Sequence, residues 1–181
     1  SVTTANIDIV THLYIQSQNI SDLTGIGDFL ALTQLWCFFN QLTSLDVSNN
    51  TALTYLQCYN NPLTSLDVSQ NTALTTLICL YNQLTTLDVS QNTALTGLIC
   101  SSNQLTSLDV SNNTALTELH CSHNQLTTLD LRNGNNINVT NFISGYNPNL
   151  TCINVDDAVW STANWSFPYI DPQHYFSEQC P

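Results

Sequence analysis

The stretch LTQLWCFFNQLTSLDV at residues 32–47 sets a pattern that most of the chain repeats. The pattern returns every 21 residues in five consecutive units, which begin at Leu32, Leu53, Leu74, Leu95 and Leu116. Their consensus is L-T-x-L-x-C-x-x-N-x-L-T-[S/T]-L-D-[V/L], usually followed by a Ser, Asn or Gln turn and Thr-Ala. A repeat this regular indicates a solenoid in which each unit stacks on its neighbours.

Each unit opens with leucine and cysteine alternating with variable residues, which is the period of a β-strand that buries one face. A unit of 21 residues cannot bury that face within itself and must bury it against adjacent units. The sequence therefore predicts parallel strands and little helix, because so short a unit leaves scant room for one. The strands should centre near Leu35, Leu56, Leu77, Leu98 and Leu119.

The consensus resembles the leucine-rich-repeat family, whose signature is L-x-x-L-x-L-x-x-N-x-L, with cysteine here at the sixth position. Outside the repeats, residues 2–7, 19–26, 150–157 and 161–165 resemble secreted leucine-rich-repeat proteins of flavobacteria. The resemblance implies an internalin-like, β-rich, right-handed coil of about seven turns, with its parallel sheet on the concave face. It also implies a secreted or cell-surface protein of the Bacteroidetes type.

The repeat pattern decays towards both ends of the chain. We expect a divergent N-terminal repeat and junction at 1–31, five regular repeats at 32–136, a divergent C-terminal repeat at 137–155 and a C-terminal cap at 156–181. The cap is expected to cover the open end of the last coil. Its candidate residues are Ala158, Trp160, Trp165, Phe167 and Tyr169.

Cysteine occupies one inward position in every regular repeat, at Cys37, Cys58, Cys79, Cys100 and Cys121. We expect buried free thiols that act as small apolar side chains. Side chains that point in parallel are poorly angled for disulfides, and a linear ladder diverges where a tetrahedral zinc site needs convergence. Cys152 and Cys180 flank the cap, and in a secreted chain we expect them to pair.

Two polar ladders run beside the leucines. The structural asparagine ladder comprises Asn40, Asn61, Asn82, Asn103 and Asn124, whose amides are expected to satisfy backbone groups of the turns. The acidic ladder comprises Asp46, Asp67, Asp88, Asp109 and Asp130. These carboxylates either accept hydrogen bonds from the turn that follows or bind calcium, although a clustered D-x-D-x-D-G loop is lacking.

Charge and composition exclude several classes of function. A formal net charge of −12, with Arg132 as the only Lys or Arg, argues against nucleic acid and anionic membranes as partners. No stretch approaches the roughly 20 apolar residues of a membrane span. The histidines at 12, 120, 123 and 174 have no nucleophile that spacing ties to them, and Cys121 should point inward while His120 points outward. We therefore expect no metal site, no cofactor and no enzyme.

Near-identical repeats act as their own control, because positions that vary within a constant frame are not set by the repeat pattern. The third, fifth, seventh and eighth positions vary, and their large residues concentrate in the first three units. The candidate ligand-binding set is Tyr14, Gln34, Trp36, Phe38, Phe39, Tyr55, Gln57, Tyr59, Asn60, Ile78 and Tyr81. A contiguous apolar patch of this kind is typical of a partner surface.

The sequence thus predicts an extracellular binding or adhesion module that recognises a glycan or protein ligand, or a second copy of itself. Rings beside amides suit a sugar as well as a protein loop. A structural alternative is a unit of a surface layer or filament that assembles through the solenoid ends. Ice binding is a further alternative, based on two threonine columns: Thr33, Thr54, Thr75, Thr96 and Thr117, and Thr43, Thr64, Thr85, Thr106 and Thr127.

Overall fold

The computed structural model describes residue 7, residues 9–166 and residues 168–181. Residues 1–6 of the N-terminal segment and Phe167 of the expected cap lie outside the described residues. The chain folds as a parallel β-solenoid of about eight turns with little helix, which confirms the predicted fold class. No helix in the described part of the chain is long and apolar enough to cross a membrane.

The first sheet has seven strands, one from each successive turn. In chain order they are β1 (His12–Tyr14), β2 (Gln34–Trp36), β3 (Tyr55–Gln57), β4 (Thr76–Ile78), β5 (Gly97–Ile99), β7 (Glu118–His120) and β9 (Asn141–Ile143). All pair in parallel with equivalent residues opposite each other, so Leu35 lies opposite Leu56 and Leu56 opposite Leu77. This constant register places each row of the repeat in a straight line along the solenoid.

A second sheet of four parallel strands, which the sequence pattern did not predict, follows the first sheet along the later turns. Its strands are β6 (Ser107–Asp109), β8 (Thr128–Asp130), β10 (Cys152–Asn154) and β11 (Tyr175–Ser177). The equivalent segments of two earlier turns make only an isolated bridge, between Asp46 and Asp67. The strands of this second sheet are as short as those of the first sheet, and they were missed because their aspartates were assigned to the turns that follow them.

The expected count of about seven turns was slightly low, because the cap adds a turn of its own. The backbone amides of Ser144 and Gly145 donate to the carbonyl oxygen of Tyr169, at 2.9 and 3.0 Å. Strand β11 then pairs with β10. The C-terminal segment therefore continues the coil as well as covering its end.

The core consists of columns of equivalent leucines and cysteines. Leu35, Leu56 and Leu77 are fully buried, and so are the cysteines two residues after each of them. Burying a leucine side chain contributes roughly 1.5 to 3 kcal/mol. Repetition of the same buried set in every turn is what holds the solenoid together.

The asparagine ladder links each turn to the one before it. The Oδ1 atom of Asn61 accepts a hydrogen bond from the Leu42 amide at 3.0 Å, and its Nδ2 atom donates to the carbonyls of Cys37 and Cys58, both at 3.0 Å. A second column, at Asn50, Asn71, Asn92 and Asn113, was not singled out in the sequence. The Nδ2 atom of Asn71 donates to Val47 and Asn50, both at 2.9 Å.

The cap combines a short helix, α1 (Ala158–Asn164), with aromatic packing against the last turns. The ring of Trp165 lies 4.5 Å from that of Phe142 and 5.4 Å from that of Phe176. Phe142 occupies the inward leucine position of β9. The cap therefore covers the apolar end of the core, where an uncovered column would meet water.

A disulfide joins Cys152 to Cys180 and ties the end of the chain to β10. The remaining cysteines are buried free thiols at Cys37, Cys58, Cys79, Cys100 and Cys121. Burial raises the pKa of Cys37, Cys79 and Cys121 to about 12. Because the thiolate is the reactive form, these side chains are inert at neutral pH.

Candidate functional site

The outward face of the first sheet carries most of the variable residues of the repeat. Gln34 of β2 lies opposite Tyr55 of β3, and Trp36 lies opposite Gln57. All four side chains are partly exposed, while the leucine between them in each strand is buried. Ile78 continues the row of Trp36 and Gln57 in β4. Alternation along each strand thus separates a conserved inside from a variable outside.

Three rings form what we call the strand stack: Tyr14, Trp36 and Tyr55. The ring centroids of Tyr14 and Trp36 are 4.4 Å apart with planes at 22°, and those of Trp36 and Tyr55 are 5.1 Å apart. The amide of Gln57 donates a hydrogen bond to the Tyr55 hydroxyl. Tyr14 is 61% exposed, and the ring of His12 lies nearly parallel to that of Trp36, with centroids 6.5 Å apart.

Three further rings form the rim stack: Phe38, Phe39 and Tyr59. Phe38 and Tyr59 are parallel, with centroids 4.4 Å apart and planes at 8°. Phe39 meets both edge-on, at 5.8 Å from Phe38 and 5.4 Å from Tyr59. Partial burial, followed by the nearby Tyr55, raises the pKa of the Tyr59 hydroxyl. The hydroxyl therefore remains a neutral hydrogen-bonding group at physiological pH.

The described ring contacts fall into two groups, and a single ligand-binding patch formed by the whole candidate set stays a prediction. Among the described ring pairs, none joins the strand stack to the rim stack, and none includes Tyr81. Tyr81 is 57% exposed and Asn60 is partly exposed, both at the eighth position of their units. The seventh and eighth positions lie beyond the strands, which is why their rings do not merge with those above the sheet.

Backbone geometry corrects the expectation that the eighth position is free of constraint. Its residues all have positive φ angles, between 52° and 60°: Ser17, Phe39, Asn60, Tyr81, Ser102, His123 and Tyr146. This left-handed region disfavours residues with a β-carbon, and asparagine tolerates it better than most. The fold therefore sets the backbone here, although it does not dictate the aromatic side chains. Asn60 was the one sequence signal for this conformation.

The C-terminal half of the same face carries a polar network beside the isoleucines that end β5 and β9. The Oε1 atom of Glu118 accepts a hydrogen bond from Asn141 Nδ2 at 2.7 Å and lies 3.3 Å from His120 Nε2. The hydroxyls of Ser122 and Ser101 are 3.0 Å apart. The face thus changes along the solenoid from aromatic to hydrogen-bonded and acidic.

One further ring pair lies at the C-terminal end and was missed by the sequence analysis. His123 and Tyr146 stack with centroids 4.1 Å apart and planes at 10°. They occupy the eighth position of neighbouring turns, but two extra residues separate Tyr146 from the regular period. That offset concealed the pair in a comparison based on the 21-residue repeat.

The acidic ladder is engaged with the turns that follow it, in agreement with the first of its two interpretations. The Oδ1 atom of Asp46 accepts hydrogen bonds from the Ser48 hydroxyl at 2.6 Å and the Ser48 amide at 3.0 Å. These bonds lower the pKa of the Asp46 carboxyl. Asp130 pairs instead with Arg132. Within the described residues, no three His, Cys, Asp or Glu side chains form a group that could hold a metal ion.

The first threonine column also serves the fold. The hydroxyl of Thr75 donates to the carbonyl oxygen of Thr54 at 3.0 Å, and that of Thr96 donates to Thr75 at 3.0 Å. The same contact recurs at Thr33 and Thr117. These hydroxyl protons are therefore committed to the neighbouring turn.

Comparison with known proteins identifies the fold and not a close relative. No protein-family model and no curated protein matches the chain. Among solved structures, the leucine-rich repeat domain of APL1B is 22% identical over 84% of this chain and 44% of its own, with a TM-score of 0.61. The LRIM1/APL1C complex gives 26% identity, 81% and 28% coverage, and a TM-score of 0.63.

Internalin C2 from Listeria monocytogenes covers 97% of this chain and 84% of its own, with 19% identity and a TM-score of 0.57. The chain spans less than half the length of the matched APL1B and LRIM1/APL1C chains. These likenesses place the protein in a structural class, the leucine-rich-repeat solenoids. What it binds must be argued from its own surface.

Proposed function

We propose that the protein is an extracellular binding module that recognises a protein partner through the strand stack and the rim stack. The observation that carries this proposal is a comparison between turns. The places of Phe38 and Tyr59 are taken by Ser101 and Ser122 in later turns, where the strands keep the same parallel register. The fold does not need these rings, so another requirement accounts for them.

Binding is the requirement that partly exposed aromatic rings meet best. Tyrosine, tryptophan and phenylalanine are enriched in interfaces and dominate their energetics when they fill pockets of the partner. In leucine-rich-repeat solenoids the first sheet lines the concave side, where a partner can contact several turns at once. The aromatic half of this sheet is therefore the proposed recognition surface.

A protein partner suits the ring geometry better than a glycan. A sugar stacks its apolar side on the open face of a ring, and the parallel contact at 4.4 Å takes up one of the two faces of both Phe38 and Tyr59. The amide of Gln57, which could serve a sugar hydroxyl, is already bonded to Tyr55. One structural neighbour, LRIM1/APL1C, is itself a complex. These points favour a protein partner whose surface inserts side chains between and beside the two stacks.

An extracellular location is supported by the disulfide between Cys152 and Cys180, because disulfides persist mainly in oxidising compartments. The formal net charge of −12 also keeps such a module soluble and favours partners of positive or neutral surface. The proposed partner is therefore an extracellular protein that carries basic residues.

The proposal is tested by presenting the immobilised protein to extracellular proteins and to a glycan array in parallel. Trp36→Ala and Phe38→Ala should each weaken capture of a protein partner by about 1 to 3 kcal/mol. The matched control is Thr85→Ala, which alters an exposed residue outside the candidate set and should leave capture unchanged. Capture of glycans alone, or capture that neither ring variant weakens, would overturn the proposal.

A further inference from the structure

Seven residues with left-handed backbone occupy the eighth position of successive turns, just beyond the strands of the first sheet, and we call them the edge row. From the first turn to the last they are Ser17, Phe39, Asn60, Tyr81, Ser102, His123 and Tyr146. Small polar residues alternate with aromatic ones through six turns, and Tyr146 then closes the row by stacking on His123. Neither the leucine core nor the asparagine ladder requires this alternation.

The aromatic members of the edge row are kept in spite of their backbone conformation. Positive φ angles of 52° for Phe39 and Tyr81 disfavour their bulky side chains, whereas histidine, at His123, is among the residues more often found there. Asparagine relieves this strain, and within the edge row it occurs only at Asn60. Phe39 stays 52% exposed although it packs edge-on against the other two rings of the rim stack, and Tyr81 is 57% exposed and belongs to none of the described ring pairs. Strain retained at exposed positions points to a ligand contact.

The spacing of these rings fits one backbone conformation of a ligand. Neighbouring parallel strands lie about 4.8 Å apart, so rings on alternate turns are about 9.6 Å apart. A polyproline II helix repeats after three residues of about 3.1 Å each, or about 9.3 Å. Side chains on one side of an extended strand repeat after only about 6.6 Å, and an α-helical turn rises about 5.4 Å. Of these three repeat distances, only that of polyproline II is close to the distance between rings on alternate turns.

The residues between the rings also suit a ligand in polyproline II conformation. Asn60 lies between Phe39 and Tyr81, and Ser102 lies between Tyr81 and His123. Both are partly exposed and can donate hydrogen bonds. A polyproline II backbone makes no internal hydrogen bonds and leaves its carbonyl oxygens free to accept them. Proline-rich segments elsewhere dock on aromatic surfaces in the same general manner.

The net charge of the whole protein favours a ligand that carries basic residues. The protein has a formal net charge of −12, and its one arginine, Arg132, is paired with Asp130. We propose that the edge row binds a basic, proline-rich segment in polyproline II conformation, with prolines seated between the rings of Phe39, Tyr81 and His123. This inference rests on the proposed function and names the partner class that it implies.

The test uses the intact protein and a synthetic peptide of about nine residues, or three polyproline II turns. The peptide carries proline at every third position and two arginines, and binding is measured by fluorescence anisotropy at two salt concentrations. Two control peptides replace proline by alanine, or arginine by glutamine. We expect the alanine peptide to bind at least about tenfold more weakly than the proline peptide. The glutamine peptide should also bind more weakly, and this difference should be largest at low salt.

Protein variants locate the binding. Phe39→Asn and Tyr81→Asn remove a ring while relieving the backbone, so they should fold and should each weaken the proline peptide about tenfold. Ser17→Asn makes the same backbone change without removing a ring and should bind normally. Equal binding of the proline and alanine peptides, or full binding by both ring variants, would overturn the inference. If a protein partner is found whose binding requires Trp36 but not Phe39, this inference about the edge row is overturned, while the proposed function stands.

Discussion

At the scale of single residues, the eighth and ninth positions of each unit are neighbours with opposite roles. Asn82 is buried and its amide holds four backbone groups, including the Leu63 amide at 3.1 Å and the Cys79 carbonyl at 3.0 Å. Tyr81, one residue earlier, is exposed on a left-handed backbone. Asn82 makes the turn possible, whereas Tyr81 is only tolerated by the turn.

Replacing Tyr81 by asparagine should therefore stabilise the fold. A left-handed conformation costs an ordinary residue about 1 to 2 kcal/mol, which asparagine largely avoids. After the loss of some ring contact, we expect the free energy of unfolding to rise by about 0.5 to 1 kcal/mol, measured as a higher urea midpoint at constant slope. Thr85→Asn, at an exposed position of the same turn without positive φ, should bring no gain. A lower midpoint for Tyr81→Asn would show that its ring supports the fold.

At the scale of elements, the stacked turns create columns whose members share one environment. The five repeat cysteines show this most clearly, because all are buried and burial raises the pKa of every one. For Cys58 and Cys100, the neighbouring thiols of the column add to this effect. The raised pKa of one buried thiol is thus repeated in each regular turn of the solenoid.

The cysteine column predicts a loss of stability in alkaline solution. Unfolding returns the pKa of Cys37, Cys79 and Cys121 from about 12 to the ordinary value of 9.0, and that of Cys58 and Cys100 from well above this value. The unfolded state therefore releases protons that the folded state keeps. The stabilisation is complete below pH 9.0 and is lost as the pH rises towards 12, by up to about 1.4 kcal/mol per thiol and pH unit.

This dependence can be measured by denaturant unfolding at a series of pH values. Cys79→Ala removes one of five thiols and should reduce the slope of stability against pH by about a fifth, whatever its effect on absolute stability. An unchanged slope would mean that the thiols do not carry the alkaline transition.

The cap depends on its disulfide. Cys152 and Cys180 are separated by 28 residues, and closing a loop of that length stabilises a fold by about 3 to 4 kcal/mol through the unfolded chain. The double variant Cys152→Ser, Cys180→Ser should lose about that much. Mild reduction should lower the stability of the wild type similarly and leave the double variant unaffected. A loss below about 1 kcal/mol would show that the aromatic packing of the cap suffices alone.

What the sequence could predict follows from which contacts repeat. Leucine and cysteine alternate around Leu35 and its equivalents, so strand position and the buried face were readable, and the structure confirms that fold. The second sheet was missed although its strands are as long as those of the first, because the aspartates in its strands were assigned to the turns that follow. The backbone at Phe39 was hidden by an aromatic side chain where asparagine would have revealed it. The separation of the two stacks depends on ring orientation, which no periodicity records.

At the scale of the whole molecule, the solenoid separates folding from recognition. Columns of leucine, cysteine and asparagine repeat through the turns and hold them together. The outward face of the first sheet varies, with rings in its N-terminal half and a polar network around Glu118 in its C-terminal half. Such a division lets the binding surface change without altering the scaffold.

One variant tests this separation directly, by giving the early turns the residues that later turns carry. Trp36→Ile, Phe38→Ser and Tyr59→Ser together remove a central ring of the strand stack and the parallel pair of the rim stack. Stacked rings contribute about 0.5 to 1.5 kcal/mol per pair beyond their buried area. Circular dichroism and urea unfolding should therefore show the native fold with a loss within about 3 kcal/mol.

The same preparation is then assayed against the partner that the wild type captures, with Leu56→Ala as the matched change in the core. We expect the triple variant to fold but to lose binding at least about a hundredfold, and Leu56→Ala to lose about 2 to 5 kcal/mol of stability. If the triple variant unfolds, or folds and still binds the partner at full strength, the rings are not a recognition surface on an independent scaffold.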